Sequence, residues 1–296
     1  MVIVQLMGGL GNQLFQYALG RRIALAHHVP LKLDIFGFDT MSESDTPRRY
    51  ELHHFTIAAG LASRAEVMLV TGTNRLGLHG RLWRFLQARR PYYKRAWVKQ
   101  QGFPFDPNIL KVSKNVYLSG WWTTEKYFKD IEPVIRQDFT LKYPLEGINA
   151  ELAVRIQTCD SVSLHIRRGD YISNPITHQF HGVCSLEYYL TAIARLKEQI
   201  KAPHFFVFSD DIQWGKEHLR LEDPGTFVDH NGGEKNYEDL RLMSRCKHHI
   251  IANSTFSWWG AWLSTHPEKI VFAPKKWFRD PSVDARDVCP ESWHRL

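Results

Sequence analysis

Cysteine is scarce in this chain. There are four in 296 residues (Cys159, Cys184, Cys246 and Cys289), far apart and without a C-x-x-C spacing. That excludes a dense disulfide framework and a zinc ribbon, and leaves free thiols in a reducing compartment as the expectation. No window approaches the roughly 20 apolar residues of a membrane span. No leader is expected, because Met1 runs straight into a strand-like V-I-V-Q-L-M. Low-complexity tracts and repeats of solenoid period are missing. So are a G-x-S-x-G nucleophile elbow and the Gly-Lys-Ser/Thr that would complete a phosphate-binding Walker loop. The histidine pairs at 27–28, 53–54 and 248–249 are sequence neighbours whose side chains point apart, so they form no ligand pair, and no metal site is expected. Acidic residues are in the minority, 31 against 38 basic ones, for a formal charge of +7 and a pI near 9.2. Three partner classes fit that balance: nucleic acid, an anionic membrane face, or a phosphorylated small molecule.

What is present argues for the third. In Ser161-Val-Ser-Leu-His-Ile-Arg167, Val162, Leu164 and Ile166 alternate with Ser163, His165 and Arg167, the period of a strand. The strand breaks at Arg168-Gly169-Asp170. In an open α/β sheet, ligands sit beyond the carboxyl ends of the strands, and the planar fork of Arg matches phosphate. Arg167 is therefore expected to clamp a diphosphate, with His165 one pleat earlier in reach of a ribose or base. Asp170 either orients an Arg, acts as a base, or closes a simple salt bridge.

Two more strands end in polar clusters. His204-Phe-Phe-Val-Phe208 runs into Ser209-Asp210-Asp211. A carboxylate there accepts from a guanine N1–H and amine, binds a cation, or caps the next helix; Asp210 is taken as the ligand. His249-Ile-Ile-Ala252 runs into Asn253-Ser254-Thr255, which opens an aromatic helix. Short polar residues there bring amides and the helix dipole to an anion, or merely cap. Trp258, Trp259 and Trp262 read as core. At the start of the chain, Gly8-Gly-Leu-Gly-Asn12 follows a buried strand without the full dinucleotide fingerprint, and Asn12 offers an amide beside backbone kept open by glycine.

Strands and helices alternate throughout, so the fold class is α/β: two Rossmann-like domains facing across a cleft, 1–150 and 151–296. A helix over 126–139 is expected to break or kink at Pro133. The densest basic zone, Arg75 to Lys99, is interleaved with Leu82, Trp83, Phe85, Leu86 and Trp97. Leu82, Phe85, Leu86 and Arg89 recur at helical spacing. A helix covering a core with a solvated basic face is the first expectation. Contact with anionic lipid or a lipid-linked acceptor is the functional one.

Taken together, GGLGNQLFQYALGRRIA, LSGWWTTEKYF, HIRRGDY, FSDDIQW and DLRLMSRCKHHIIANSTFSWWGAWL resemble the bacterial α-1,2-fucosyltransferases of glycosyltransferase family eleven, in order and over almost the whole chain. The resemblance implies a GT-B type fold, with an N-terminal acceptor-side domain and a C-terminal domain that binds GDP-fucose. It implies an inverting, metal-independent transfer of L-fucose from GDP-β-L-fucose to the 2-hydroxyl of a terminal galactose, with GDP-fucose a co-substrate and no cofactor. Carried over by motif, it puts Arg167 on the diphosphate, Asp210 on guanine, Ser254 and Thr255 near the phosphates, and Asn12 and Gln13 near the fucose, with Arg168 structural. Thr123-Thr124 replaces a Gln-Ser pair common in the family, which bears on acceptor choice. Asp34, Trp121 and Glu125 are expected to line the acceptor. The acceptor expected is a galactose-terminated oligosaccharide, lipid-linked in a bacterial cytosol in the O-antigen setting, and the chain is expected to be cytoplasmic, at most peripheral to the inner membrane. The rivals are a fucosyltransferase of another linkage, a non-catalytic nucleotide- or glycan-binding module and, on charge alone, a nucleic-acid binder.

Overall fold

The computed structural model describes residues 1–40 and 46–296. The chain divides into two compact units, Met1–Lys142 with Arg286–Val288, and Tyr143–Ala285 with Cys289–Leu296.

In the first unit, in chain order, β1 (Val2–Gln5) leads to α1 (Leu10–His27), β2 (Leu31–Asp34), β3 (Gly60–Leu61), α2 (Arg64–Thr71), α3 (Gly77–Arg89), β4 (Trp97–Lys99), β5 (Val116–Ser119) and α4 (Glu132–Asp138). The strands pair in parallel in the order β3-β2-β1-β5-β4. Val2, Ile3 and Val4 are fully buried, as central strands covered on both faces must be. Glycine lets α1 pack close to β1: a Cβ on Gly20 would stand 2.4 Å from Val4 Cγ2. Ser63 and Glu66 close a reciprocal capping box on α2. Pro133 does not break a helix. It sits in the first turn of α4, where its missing N–H has no partner to lose and its fixed φ suits helix entry.

The second unit runs α5 (Gly147–Thr158), β6 (Asp160–Ile166), α6 (Gly169–Ser173), α7 (Pro175–His181), α8 (Leu186–Lys197), β7 (Pro203–Ser209), α9 (Ile212–His218), β8 (Gly225–Val228), α10 (Asn236–Arg245), β9 (His248–Ile250), α11 (Thr255–Leu263), β10 (Val271–Ala273) and β11 (His294–Arg295). Its parallel sheet has the order β11-β10-β9-β6-β7-β8. The chain winds outward from β6 in one direction through β7 and β8, then returns to β9 and winds the other way. The switch therefore lies between β6 and β9, and in such sheets the crevice beyond the carboxyl ends at that point takes the ligand. Trp258, Trp259 and Trp262 are at most 3% exposed and stack in the core. No helix among the described residues is long and apolar enough to cross a membrane.

One half-buried acid gives this unit a pH signature. Burial raises the Asp239 carboxyl on α10 to about 7, against a lowering hydrogen bond from Asn231 and with the charge of Glu238 adding to the rise. Asn231 Nδ2 donates to its Oδ1 at 2.8 Å. A raised carboxyl binds its proton more tightly folded than unfolded, so stability is fullest below about 4 and falls as pH rises towards 7. Asp239→Asn should remove that slope and add roughly 1–3 kcal/mol at pH 8. Urea melts at pH 5 and pH 8 check it; parallel losses in both proteins would count against it.

Candidate donor site

Three strand tips meet in the second unit. At the end of β6, Arg167 ion-pairs with Asp170 through Nη2 and with Asp210 at the end of β7 through Nη1, the latter at 2.7 Å. Its guanidinium also lies 5.1 Å from the Tyr171 ring centroid. Burial works against its charge, but Asp210 and Asp170 outweigh that and hold its pKa above the usual value. Asp210 Oδ1 accepts from the Arg168 N–H at 2.8 Å. Arg168 turns away, donating to Asp211 at 3.0 Å and lying 4.3 Å from the Trp214 ring. Gly169 makes this packing possible, since a Cβ there would stand 2.5 Å from Asp210 Oδ2.

The structure brings Arg167, Asp170 and Asp210 together. Asp170 is engaged by the guanidinium it faces, the arrangement that orients Arg167. His165 is 5% exposed and lies against Phe256, not at the surface. Burial, with the charge of Arg167 behind it, lowers its pKa to about 3, so the ring is neutral at physiological pH. Its Nδ1 has no hydrogen-bond partner among the described residues.

At the end of β9, Asn253, expected at the ligand, is held by the backbone of two loops. Its amide is 3% exposed and donates to the carbonyls of His181 at 3.0 Å, Trp277 at 3.2 Å and Gly182 at 3.4 Å, while its oxygen accepts from Cys184. It pins two loops to the strand tip. Ser254 Oγ caps α11 by accepting from the Phe256 N–H at 3.3 Å, which is the capping alternative. Thr255 is half-buried in the first turn. Both still place the positive end of the α11 dipole at the switch point.

In the first unit the corresponding switch lies between β1 and β5. Gly8, at φ 71°, packs against Asn12 and Trp121, both near that crevice. Asn12 falls in the first turn of α1, half-buried, and its amide has no hydrogen-bond partner among the described residues. Gln13, expected near the sugar, is fully buried, donating to Gly8 and Arg49 carbonyls at 3.0 and 2.7 Å and accepting from the Glu51 N–H. Asp34 is equally committed, accepting from the Tyr117 hydroxyl at 2.7 Å, and Glu125 pairs with Lys129 at 2.9 Å. Thr123 and Thr124 are buried as well. Trp121 alone of the expected acceptor residues is open, 37% exposed.

Sequence reasoning missed Tyr171, whose ring faces Arg167 and stacks on His181 at 4.7 Å. The signal was its place directly after the Arg-Gly-Asp turn. It also missed a cavity of about 250 Å³ in the first unit, lined by Gln100, Phe105, Ile109, Trp122 and Tyr127 among others. No cluster of three or more His, Cys, Asp or Glu suited to a metal ion occurs among the described residues.

Comparison with known proteins adds to this geometry. The family model for glycosyl transferase family 11 matches residues 90–296. An Escherichia coli alpha-1,2-colitosyltransferase is 34% identical over 100% of this chain and 98% of its own length. The E. coli O-antigen biosynthesis glycosyltransferase WbnK is 36% identical over 92% of this chain and 93% of its own. A galactoside alpha-(1,2)-fucosyltransferase 1 from Leontocebus fuscicollis is 28% identical over 62% of this chain and 49% of its own. Among solved structures, the GDP complex of an Arabidopsis thaliana FUT1 mutant aligns with a TM-score of 0.51 at 12% identity, covering 92% of this chain and 70% of that one. The last is a likeness of fold, and with the two parallel sheets it makes the architecture GT-B type.

Proposed function

Because the chain belongs to glycosyltransferase family 11, we propose that it is an inverting α-1,2-fucosyltransferase that moves L-fucose from GDP-β-L-fucose to the 2-hydroxyl of a terminal galactose. The observation that carries the reading is the Arg167 guanidinium, held by two carboxylates at the switch point of a parallel sheet. In the reaction the acceptor hydroxyl oxygen bonds to the fucose anomeric carbon from the face opposite the leaving group. The bond to the diphosphate oxygen breaks, GDP departs with an added negative charge, and the acceptor's hydroxyl proton passes to water as the new bond completes. Donors aimed at that charge lower the barrier. Arg167 and the amides at the start of α11 supply them from the protein itself, which supports a metal-independent transfer. Asp210 sets Arg167 and offers a carboxylate to the guanine edge, and Asp170 fixes the guanidinium from the other side. The second unit is the donor side and the first the acceptor side, with Asn12 and Trp121 the open polar and aromatic groups at its switch point.

The relatives support the linkage through their names, and one of them supports a second donor. The full-length E. coli relative is named for colitose, a sugar that lacks the 3-hydroxyl of fucose. Incubating the purified chain with GDP-fucose or GDP-colitose and a β-galactoside, then fixing product linkage by NMR, separates the two. The expected result is an α-1,2-fucosyl product. An α-1,6 product, or turnover with GDP-colitose alone, would overturn the reading. Thermal stabilisation by GDP but not by UDP or ADP tests the nucleotide independently.

A further inference from the structure

Helix α3 is built inside out. Its buried side is small: Gly80, with Trp83 lodged against the left-handed Gly72 that ends α2 and Gln87 accepting from the Ala96 N–H at 2.9 Å. These recur at i, i+3 and i+7, one face of a helix. The opposite face carries Leu78, Leu82, Phe85 and Leu86, at i, i+4, i+7 and i+8, and they are 79%, 59%, 51% and 50% exposed. Leu76, just before the helix, is 82% exposed, and Met68 and Leu69 on α2 are exposed as well. The expectation that this apolar stripe covers a core is corrected: it points away from one.

Charge surrounds the stripe. Residues 67–105 contain no Asp or Glu, but hold six arginines (Arg75, Arg81, Arg84, Arg89, Arg90 and Arg95) and two lysines (Lys94 and Lys99). Those eight cations exceed the net charge of the whole chain, +7. None forms a salt bridge among the described residues, and all but Arg95 are exposed. The Arg89 guanidinium lies over Phe85, 4.1 Å from its ring centroid.

We infer that α3 lies in the headgroup layer of an anionic bilayer, with Leu78, Leu82, Phe85 and Leu86 in the acyl boundary and the arginines on lipid phosphates. An in-plane helix combines these two features, an apolar face without a partner and a cationic margin. The other occupants each fail one of them. A second copy of this chain would bring eight like charges to meet eight. Nucleic acid answers the charge but offers nothing apolar to the leucines.

The test needs neither donor nor acceptor, so its outcome is independent of the function proposed above. Full-length protein is sedimented with vesicles of phosphatidylethanolamine and phosphatidylglycerol, or of phosphatidylcholine, at low and high salt. Binding is expected on the anionic vesicles only, and should weaken with salt. Leu82→Ser with Phe85→Ser, and separately Arg81→Glu with Arg84→Glu, should each lower binding at least about tenfold, since a cation near the surface contributes about fivefold. Melting temperature and the far-UV circular dichroism spectrum should not move, which excludes misfolding. The inference is overturned if the wild-type chain ignores anionic vesicles, if it binds neutral vesicles equally, or if the serine pair binds like wild type. It is also overturned if that pair instead abolishes self-association, or if duplex DNA binds more tightly than vesicles.

Discussion

Arg167→Lys should lower transfer about 10³-fold in kcat/KM, and Arg167→Ala further still, in protein that remains folded. Lysine keeps the charge but not the fork that reaches Asp170 and Asp210 at once, so a point cation replaces a fixed donor pair. Removing one donor to a developing oxyanion typically costs 10²–10³, and here the donor is charged. The alanine variant also leaves Asp170 and Asp210 without their shared cation, and stability should fall. Arg167→Ala combined with Asp210→Asn should recover much of that stability and none of the activity. Melting curves beside steady-state rates read both. Near-normal turnover in the folded lysine variant would remove Arg167 from the chemistry, and a double variant that recovers activity would make the cluster structural.

Asn253→Ala should be costly in a different currency, stability. Deleting its amide strands buried carbonyls at His181, Gly182 and Trp277. Leaving such groups unsatisfied costs about 1–3 kcal/mol each, and with partial rescue by water the loss should be roughly 2–4 kcal/mol. For a unit of this size that is a fall of about 5–12 °C in Tm. GDP affinity should drop by less than the melting data alone would suggest, because the side chain faces backbone. A variant with unchanged Tm and abolished GDP binding would restore the ligand role that its position in the sequence implied.

These two residues show where sequence reasoning reached and where it stopped. The order of strands and helices in the second unit was legible because buried parallel strands are short apolar runs, and each ended in a polar cluster. The convergence of Arg167, Asp170 and Asp210 was legible because three charged groups stood at the tips of apolar strands. The backbone contacts of Asn253 and Gln13 were not, because an amide that binds ligand and one that binds backbone look identical in a string of letters. Helices α6 and α7 were missed where Gly169, Pro175 and several histidines broke the apolar period, and β11 because two residues carry no period at all. On α3 the period was correctly seen and its direction was not, since helical spacing fixes a face and says nothing about what that face meets.

The four cysteines have a practical bearing on every experiment above. All four are free, and burial pushes the thiols of Cys184 and Cys289 up to about 11 and about 12, with Cys246 well above its ordinary value and Cys159 raised too. Thiolates do the alkylation, so at neutral pH these native sulfurs should be slow towards maleimides. A cysteine introduced at exposed Leu82 would then be the fastest-labelled position, and an environment-sensitive dye attached there would report immersion depth without first stripping the protein of its own thiols.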